Sequence, residues 1–284
     1  MNVLKTRFLL ALLTVLLVFV GQLIGGANGA STAFVFALLM NLGVYWFSDR
    51  LVLAMYRAKP LSESEAPQVY RAVREIASRE RMPMPKLYGL PTVTPNAFAT
   101  GRSPRHASVA VTSGLLQLMS EEELKGVLAH ELSHVKNRDT LVMSIAAAVA
   151  GAIAMLADWA RWGLMFGGGG RDRRSGNGAV QLIALLVVAI LAPLAAMLIQ
   201  LAISRTREYG ADATGARLTG NPQGLANALE KLDAAVHAHP LEGANPATAH
   251  LFIVNPLRAG AIAKLFSTHP PVAERVRRLR SMRL

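Results

Sequence analysis

The chain of 284 residues contains no cysteine. That absence excludes a disulfide framework, a thiolate metal site and a cysteine nucleophile. It accords with a reducing compartment. There is no internal repeat, and the one biased stretch is the glycine-rich 167–178. Although the net charge is +12, the basic residues build no interleaved aromatic-basic surface. No nucleic-acid partner is therefore expected. The positive charges gather at the ends of apolar segments and in the tail 275–283. Membrane orientation explains the first group. The tail reads as a solvated amphipathic helix in reach of anionic lipid.

What the chain has in excess is apolar residues: 52% of the total, with mean hydropathy +0.33. An ordinary soluble domain is less apolar, so membrane spans are expected. Four segments qualify: 8–24, 33–47, 140–157 and 179–203. About 20 apolar residues cross a bilayer core, and the first and fourth come nearest to that length. Pro193 in the fourth is tolerated in membrane helices. The start of the chain also has the make-up of a signal peptide, but its long apolar run, followed at once by a second, favours an uncleaved anchor. Lys5 and Arg7 precede the first segment, and Arg50, Arg57 and Lys59 follow the second. The positive-inside rule then places both ends of this pair in the cytoplasm. The loop 167–178 carries Arg171, Arg173 and Arg174. It would lie outside if the third and fourth segments both span, against that rule, so a shallow hairpin or packing onto the soluble part are alternatives.

Between and after these segments the pattern is globular. Ser62 with Glu65 forms a capping box ahead of a helix that Met82–Pro85 ends. Short runs at 86–90, 97–100 and 108–112 read as strands of a small antiparallel sheet. Ser120 with Glu123 forms another capping box, and Leu124, Val127, Leu128 and Leu132 supply a helical apolar stripe. Gly126 in that helix costs about 1 kcal/mol relative to alanine. Asn221-Pro222 starts a further helix reaching about His237.

The helix after Ser120 carries His130-Glu131-Leu132-Ser133-His134. Histidines four apart lie one above the other on a helix, so both imidazoles reach one metal ion. Glu131 points about 100° round the helix, where it can face a water without being a ligand. Zinc lowers the pKa of such a water to about 7, and a carboxylate then accepts its proton during attack on a carbonyl. A catalytic zinc usually has three protein ligands. Glu208 is the candidate third, and Asp212, four residues on, is placed to orient a ligand histidine. The competing reading of Glu208 and Asp212, a solvated face ion-paired to Arg205 and Arg207, yields once the upstream motif is considered.

The ordered set of two N-terminal apolar segments, Asn96-Ala97-Phe98-Ala99, His130 through Asp139, Arg205 through Asp212, and Ser267-Thr-His269-Pro-Pro271 with Arg275 resembles the HtpX-like membrane zinc metallopeptidases, relatives of the CAAX prenyl endopeptidases. The resemblance runs over nearly the whole length. It implies a multi-pass protein of the bacterial inner membrane whose peptidase domain faces the cytoplasm. That peptidase would cut misfolded or damaged membrane proteins, with one zinc ion per chain on His130, His134 and Glu208. It also implies that Asn96, Ala97, Phe98 and Ala99 form an edge strand pairing with an extended substrate. His269 would donate a hydrogen bond to the oxyanion. An ordinary strand and a loop histidine are the plain alternatives.

The expected fold is thus an α-helical membrane protein with a mainly α (α+β) zincin-like metallopeptidase domain and a small antiparallel sheet. Residues 1–58 form the anchor, 59–139 and 204–284 the peptidase domain, and 140–203 two further apolar segments. The competing function is a non-hydrolytic membrane chaperone or adaptor with a structural zinc; four protein ligands would then be expected. A transporter would carry more ionisable residues within its spans.

Overall fold

The computed structural model describes residues 2–147, 205–238, 251–254 and 270–283. The segment 179–203, most of 140–157, the loop 167–178 and His269 lie outside the described residues.

Helix α1, Asn2–Met55, is broken at Gly25 and at Gly26, whose φ of 57° suits glycine. The chain reverses there. The Asn41 amide donates to Thr14 Oγ1 at 2.8 Å and to the Leu10 carbonyl at 3.2 Å, which makes the two halves an antiparallel hairpin. Gly21 packs so closely on the other half that a Cβ there would stand 2.5 Å from the Gly29 carbonyl oxygen. Small residues at a close crossing and one polar pair are the usual means of joining helices without water. Only a two-glycine kink thus separates the two apolar segments. The second half also runs past Phe47 to Met55, because no breaker intervenes and Arg50 stays exposed. Gly25–Met55 is long and apolar enough to cross a membrane. Phe8, Phe19, Phe34, Leu39 and Leu42 are all more than half exposed or nearly so on the outside of the hairpin.

Strands β1 (Lys59–Pro60), β2 (Lys86–Leu90), β3 (Ala97–Gly101) and β4 (Ala107–Thr112) form one sheet in the order β1-β2-β4-β3. The sheet is mixed and not antiparallel: β2 pairs with β4 in parallel, whereas β1–β2 and β3–β4 are antiparallel. The link 91–96 carries the chain past the position of β4, β3 takes the edge, and β4 returns between. Turn residues mark where such strands end, not which neighbour they take.

The sheet separates two apolar layers. Ala97, Ala99, Val109 and Val111 face a core built with helices α2 (Pro67–Arg79), α4 (Glu121–Lys136), α5 (Arg205–Thr219), α6 (Pro222–Ala238) and α7 (Val272–Arg280). Phe98 and Ala110 face a second core with Val44, Val52 and Leu53 of α1 and with Val142, Met143 and Ile145. The alternation of a strand thus joins the helical core to the apolar hairpin.

One local expectation fails. Glu65 accepts from the Ser62 amide and hydroxyl, but this closes a turn ahead of α2. That helix starts at Pro67, with no side-chain cap; proline needs no amide partner in a first turn. The apolar stretch after α4 does not continue it: Arg138, with φ 58°, breaks the chain before a separate helical stretch 139–147. A short helix α3, Ser113–Leu118, precedes α4 and is capped by the Thr112 hydroxyl.

A candidate metal centre

Helix α4 begins with the reciprocal capping box: the Ser120 amide donates to Glu123 Oε2 at 2.8 Å, and the Glu123 amide donates to Ser120 Oγ at 3.4 Å. Lys231 adds an ion pair to the same carboxylate at 2.8 Å. The helix then runs straight through the core, with every residue from Gly126 to Val135 buried. Gly126 serves close packing: a Cβ there would lie 2.9 Å from the Leu225 amide nitrogen. Gly215 of α5 packs against His130 in the same manner, its Cβ position being 3.0 Å from the His130 nitrogen. This approach brings Glu208, two turns earlier in α5, to the histidines.

His130, His134 and Glu208 are all buried, and one ligand atom from each lies within 4.8 Å of the others. The two Nε2 atoms are 3.2 Å apart. Glu208 Oε2 is 3.7 Å from His130 Nε2, and Oε1 is 3.6 Å from His134 Nε2.

Each imidazole has a carboxylate behind it. Asp212 Oδ1 stands 2.9 Å from His130 Nδ1, an oblique approach, and Asp139 Oδ2 stands 3.3 Å from His134 Nδ1. Each carboxylate in turn has an arginine. Arg275 donates through Nε and Nη2 to both Asp212 oxygens at 2.8 and 2.7 Å. Arg207 Nη1 donates to Asp139 Oδ1 at 3.1 Å. Arg275 is fully buried and also donates to the Ile253 carbonyl at 3.0 Å. Burial acts to raise the Asp212 carboxyl, but Arg275 overrides it and holds the group far below the usual carboxylate range. Burial lowers His130, and Asp212 only partly offsets that. Burial acts on His134 too, but the carboxylates of Glu208, Asp139 and Glu131 prevail and raise it to about 9.

Glu131 lies outside this ligand group. Its Oε2 accepts from the Ala99 amide at 2.9 Å. Ala99 sits on β3, an edge strand of the sheet. Phe98 points to the opposite face, 5.6 Å from the Tyr56 ring. Asn96 is buried and anchored: its Oδ1 accepts from the Ile253 amide at 3.3 Å, and its backbone N–H donates to Thr112 Oγ1 at 2.8 Å.

Asp139 and Arg207 had no site role by sequence. Asp139 is five residues past His134 across a helix break, a spacing that follows no helical rule. Arg275 is 63 residues from Asp212, so no local pattern joins them.

Comparison with known proteins extends the geometry to the whole chain. Residues 63–283 match peptidase family M48. A protease HtpX homologue of Syntrophobacter fumaroxidans is 59% identical over 280 residues, 98% of each chain. Another, of Pyrococcus furiosus, is 54% identical over 278 residues, 98% of this chain and 95% of that one. The crystal structure of S. mikatae Ste24p has a similar fold, with TM-score 0.50 and 20% identity over 86% of this chain. The chain spans 57% of that protein. A buried group of two histidines and a glutamate, a neighbouring edge strand and these whole-length similarities agree: the chain belongs to peptidase family M48 and is a metallopeptidase.

Proposed function

We propose that this peptidase is a zinc endopeptidase anchored in a membrane, with His130, His134 and Glu208 as metal ligands and Glu131 as general base. The carrying observation is the buried group of three donors beside a glutamate that is not one of them. The donor set suits zinc. Atoms bound about 2.0–2.1 Å from a tetrahedral ion stand about 3.3–3.4 Å apart; here the separations are 3.2, 3.6 and 3.7 Å. Asp212 and Asp139 stand behind the Nδ1 atoms, so both Nε2 atoms turn inward.

Zinc, when bound, polarises the substrate carbonyl and acidifies water. The remaining work falls to the chain. An extended peptide runs beside β3, an edge strand of the sheet. Glu131 takes a proton from the attacking water and returns it to the leaving amine. Its bond to the Ala99 amide fixes the carboxylate while leaving lone pairs to accept that proton. A structural zinc in an adaptor would call for a fourth protein ligand, and among the described residues the group has three.

The substrates fitting this placement are misfolded or damaged membrane proteins. Arg7 and Arg50 fall at the same end of the hairpin, which favours a cytoplasmic peptidase domain. The test is metal content with hydrolysis of an unfolded protein by the detergent-purified chain. One zinc per chain is expected, with activity removed by a chelator and restored by zinc. Full activity in metal-stripped protein would refute the reading.

A further inference from the structure

The contacts between α1 and β3 measure how far the catalytic centre stands from the bilayer. Tyr56, in the turn just past α1, meets Phe98 of β3 at 5.6 Å between ring centroids. At the other end, the Arg102 guanidinium lies over the Trp46 ring, 4.6 Å from its centroid. The helix from 46 to its end at Met55 spans about 14 Å. The chain from Phe98 to Arg102, just past the end of β3, spans about 13 Å when extended. The two lengths agree, so β3 runs antiparallel alongside the last turns of α1, and the turn after β3 reaches furthest toward the apolar hairpin.

That level carries the marks of a membrane interface. Tyr45, Trp46 and Phe47 are 36%, 51% and 49% exposed. Aromatic side chains of this kind favour the headgroup region. Arg50 lies over the Phe47 ring at 5.5 Å, beside Arg102 over Trp46. Arg105 and His106 are exposed on the same turn, and no acidic residue occurs between Ala97 and Ser120. The nearby acid on α1, Asp49, is half-buried. The turn is also held firmly. Thr140 Oγ1 donates to the Gly101 carbonyl at 2.9 Å, and the Ser144 and Thr100 hydroxyls are 2.7 Å apart.

We propose that the turn between β3 and β4, through Arg102 and Arg105, binds anionic phospholipid headgroups and so fixes the height of the catalytic centre above the bilayer. The proposal rests on the membrane-peptidase reading and adds a lipid site to it. Ala99, which holds Glu131, is three strand residues from Arg102, about 10 Å. Peptide bonds reached at that height lie a few extended residues outside the membrane. An arginine held at an anionic surface is worth about fivefold in association.

The experiment compares the full chain with the double variant Arg102→Gln, Arg105→Gln; neither residue belongs to the metal centre. Native mass spectrometry counts phosphatidylglycerol retained after delipidation from mixed phosphatidylcholine–phosphatidylglycerol nanodiscs. The full chain should retain more than the variant by about tenfold or more in affinity. Cleavage of a single-span membrane protein should be faster in the anionic discs than in pure phosphatidylcholine, with that difference lost in the variant. Equal lipid retention, or an undiminished response to anionic lipid, overturns the proposal. Casein hydrolysis in detergent reports the peptidase reading separately and should be the same in both proteins. A variant that is slower on casein would place these arginines on acidic substrate instead, which also overturns the lipid assignment.

Discussion

Two imidazoles, each backed by a carboxylate and each carboxylate by an arginine, set the chemistry of the centre. Asp139 and Asp212 stand in equivalent relations to His134 and His130. Removing either, as Asp139→Ala or Asp212→Ala, should weaken zinc by about 10–100-fold, and Glu208→Ala should strip it. Competitive zinc titration checks both, and unchanged affinity in Glu208→Ala protein would remove it from the ligand set. Arg275→Met should cost about 3–5 kcal/mol in chemical denaturation, since it leaves the buried Asp212 charge unpaired. Adding Asp212→Asn should recover part of that loss. The Glu208–Asp212 spacing was legible because it follows the helical period. The Asp139 and Arg275 partnerships were not, since one crosses a helix break and the other joins distant segments.

At the scale of the element, α4 depends on its first turn and on two close crossings. Burial acts to raise Glu123, but hydrogen bonds from Lys231 and Ser120 prevail and lower it below its ordinary value. A lowered folded-state value stabilises the protein above the ordinary glutamate pKa, and that stability is lost as pH falls through the folded value. The melting-temperature gap between wild type and Glu123→Gln should therefore be present at neutral pH and shrink in acid below about pH 4. A gap constant from neutral to acid pH would contradict the cap's electrostatic share. Ser120→Ala should cost about 1 kcal/mol. Gly215→Ala acts differently: its methyl would press on the His130 backbone and force α5 off α4. Zinc affinity should fall more than helix propensity, which favours alanine, would suggest. Sequence showed the capping box and the metal helix outright. It registered Gly126 only as a cost, because the crossing partner lies in a helix about 100 residues away.

Over the described residues, one sheet joins the helices of the candidate metal centre on one face to an apolar hairpin on the other. Three strands were legible as short runs between turn residues, yet the parallel β2–β4 pair was not, because β3 is inserted at the edge after it. The second apolar segment was legible; its packing against Phe98 was decided by tertiary contact. The hairpin gives a topology prediction. Tags at Gly29 and after the last residue should report opposite sides of the membrane in a cell-impermeant labelling assay. A cytoplasmic Gly29 would rule out the spanning hairpin.

The central claim is that Glu131 does chemistry without holding metal, and Glu131→Gln tests it most directly. Glutamine keeps the shape and can still accept from the Ala99 amide, but it cannot take a proton from water. The expected result is wild-type zinc stoichiometry with cleavage of an unfolded protein slowed by about 10²–10⁴-fold. Near-normal cleavage by zinc-loaded Glu131→Gln protein would contradict the mechanism.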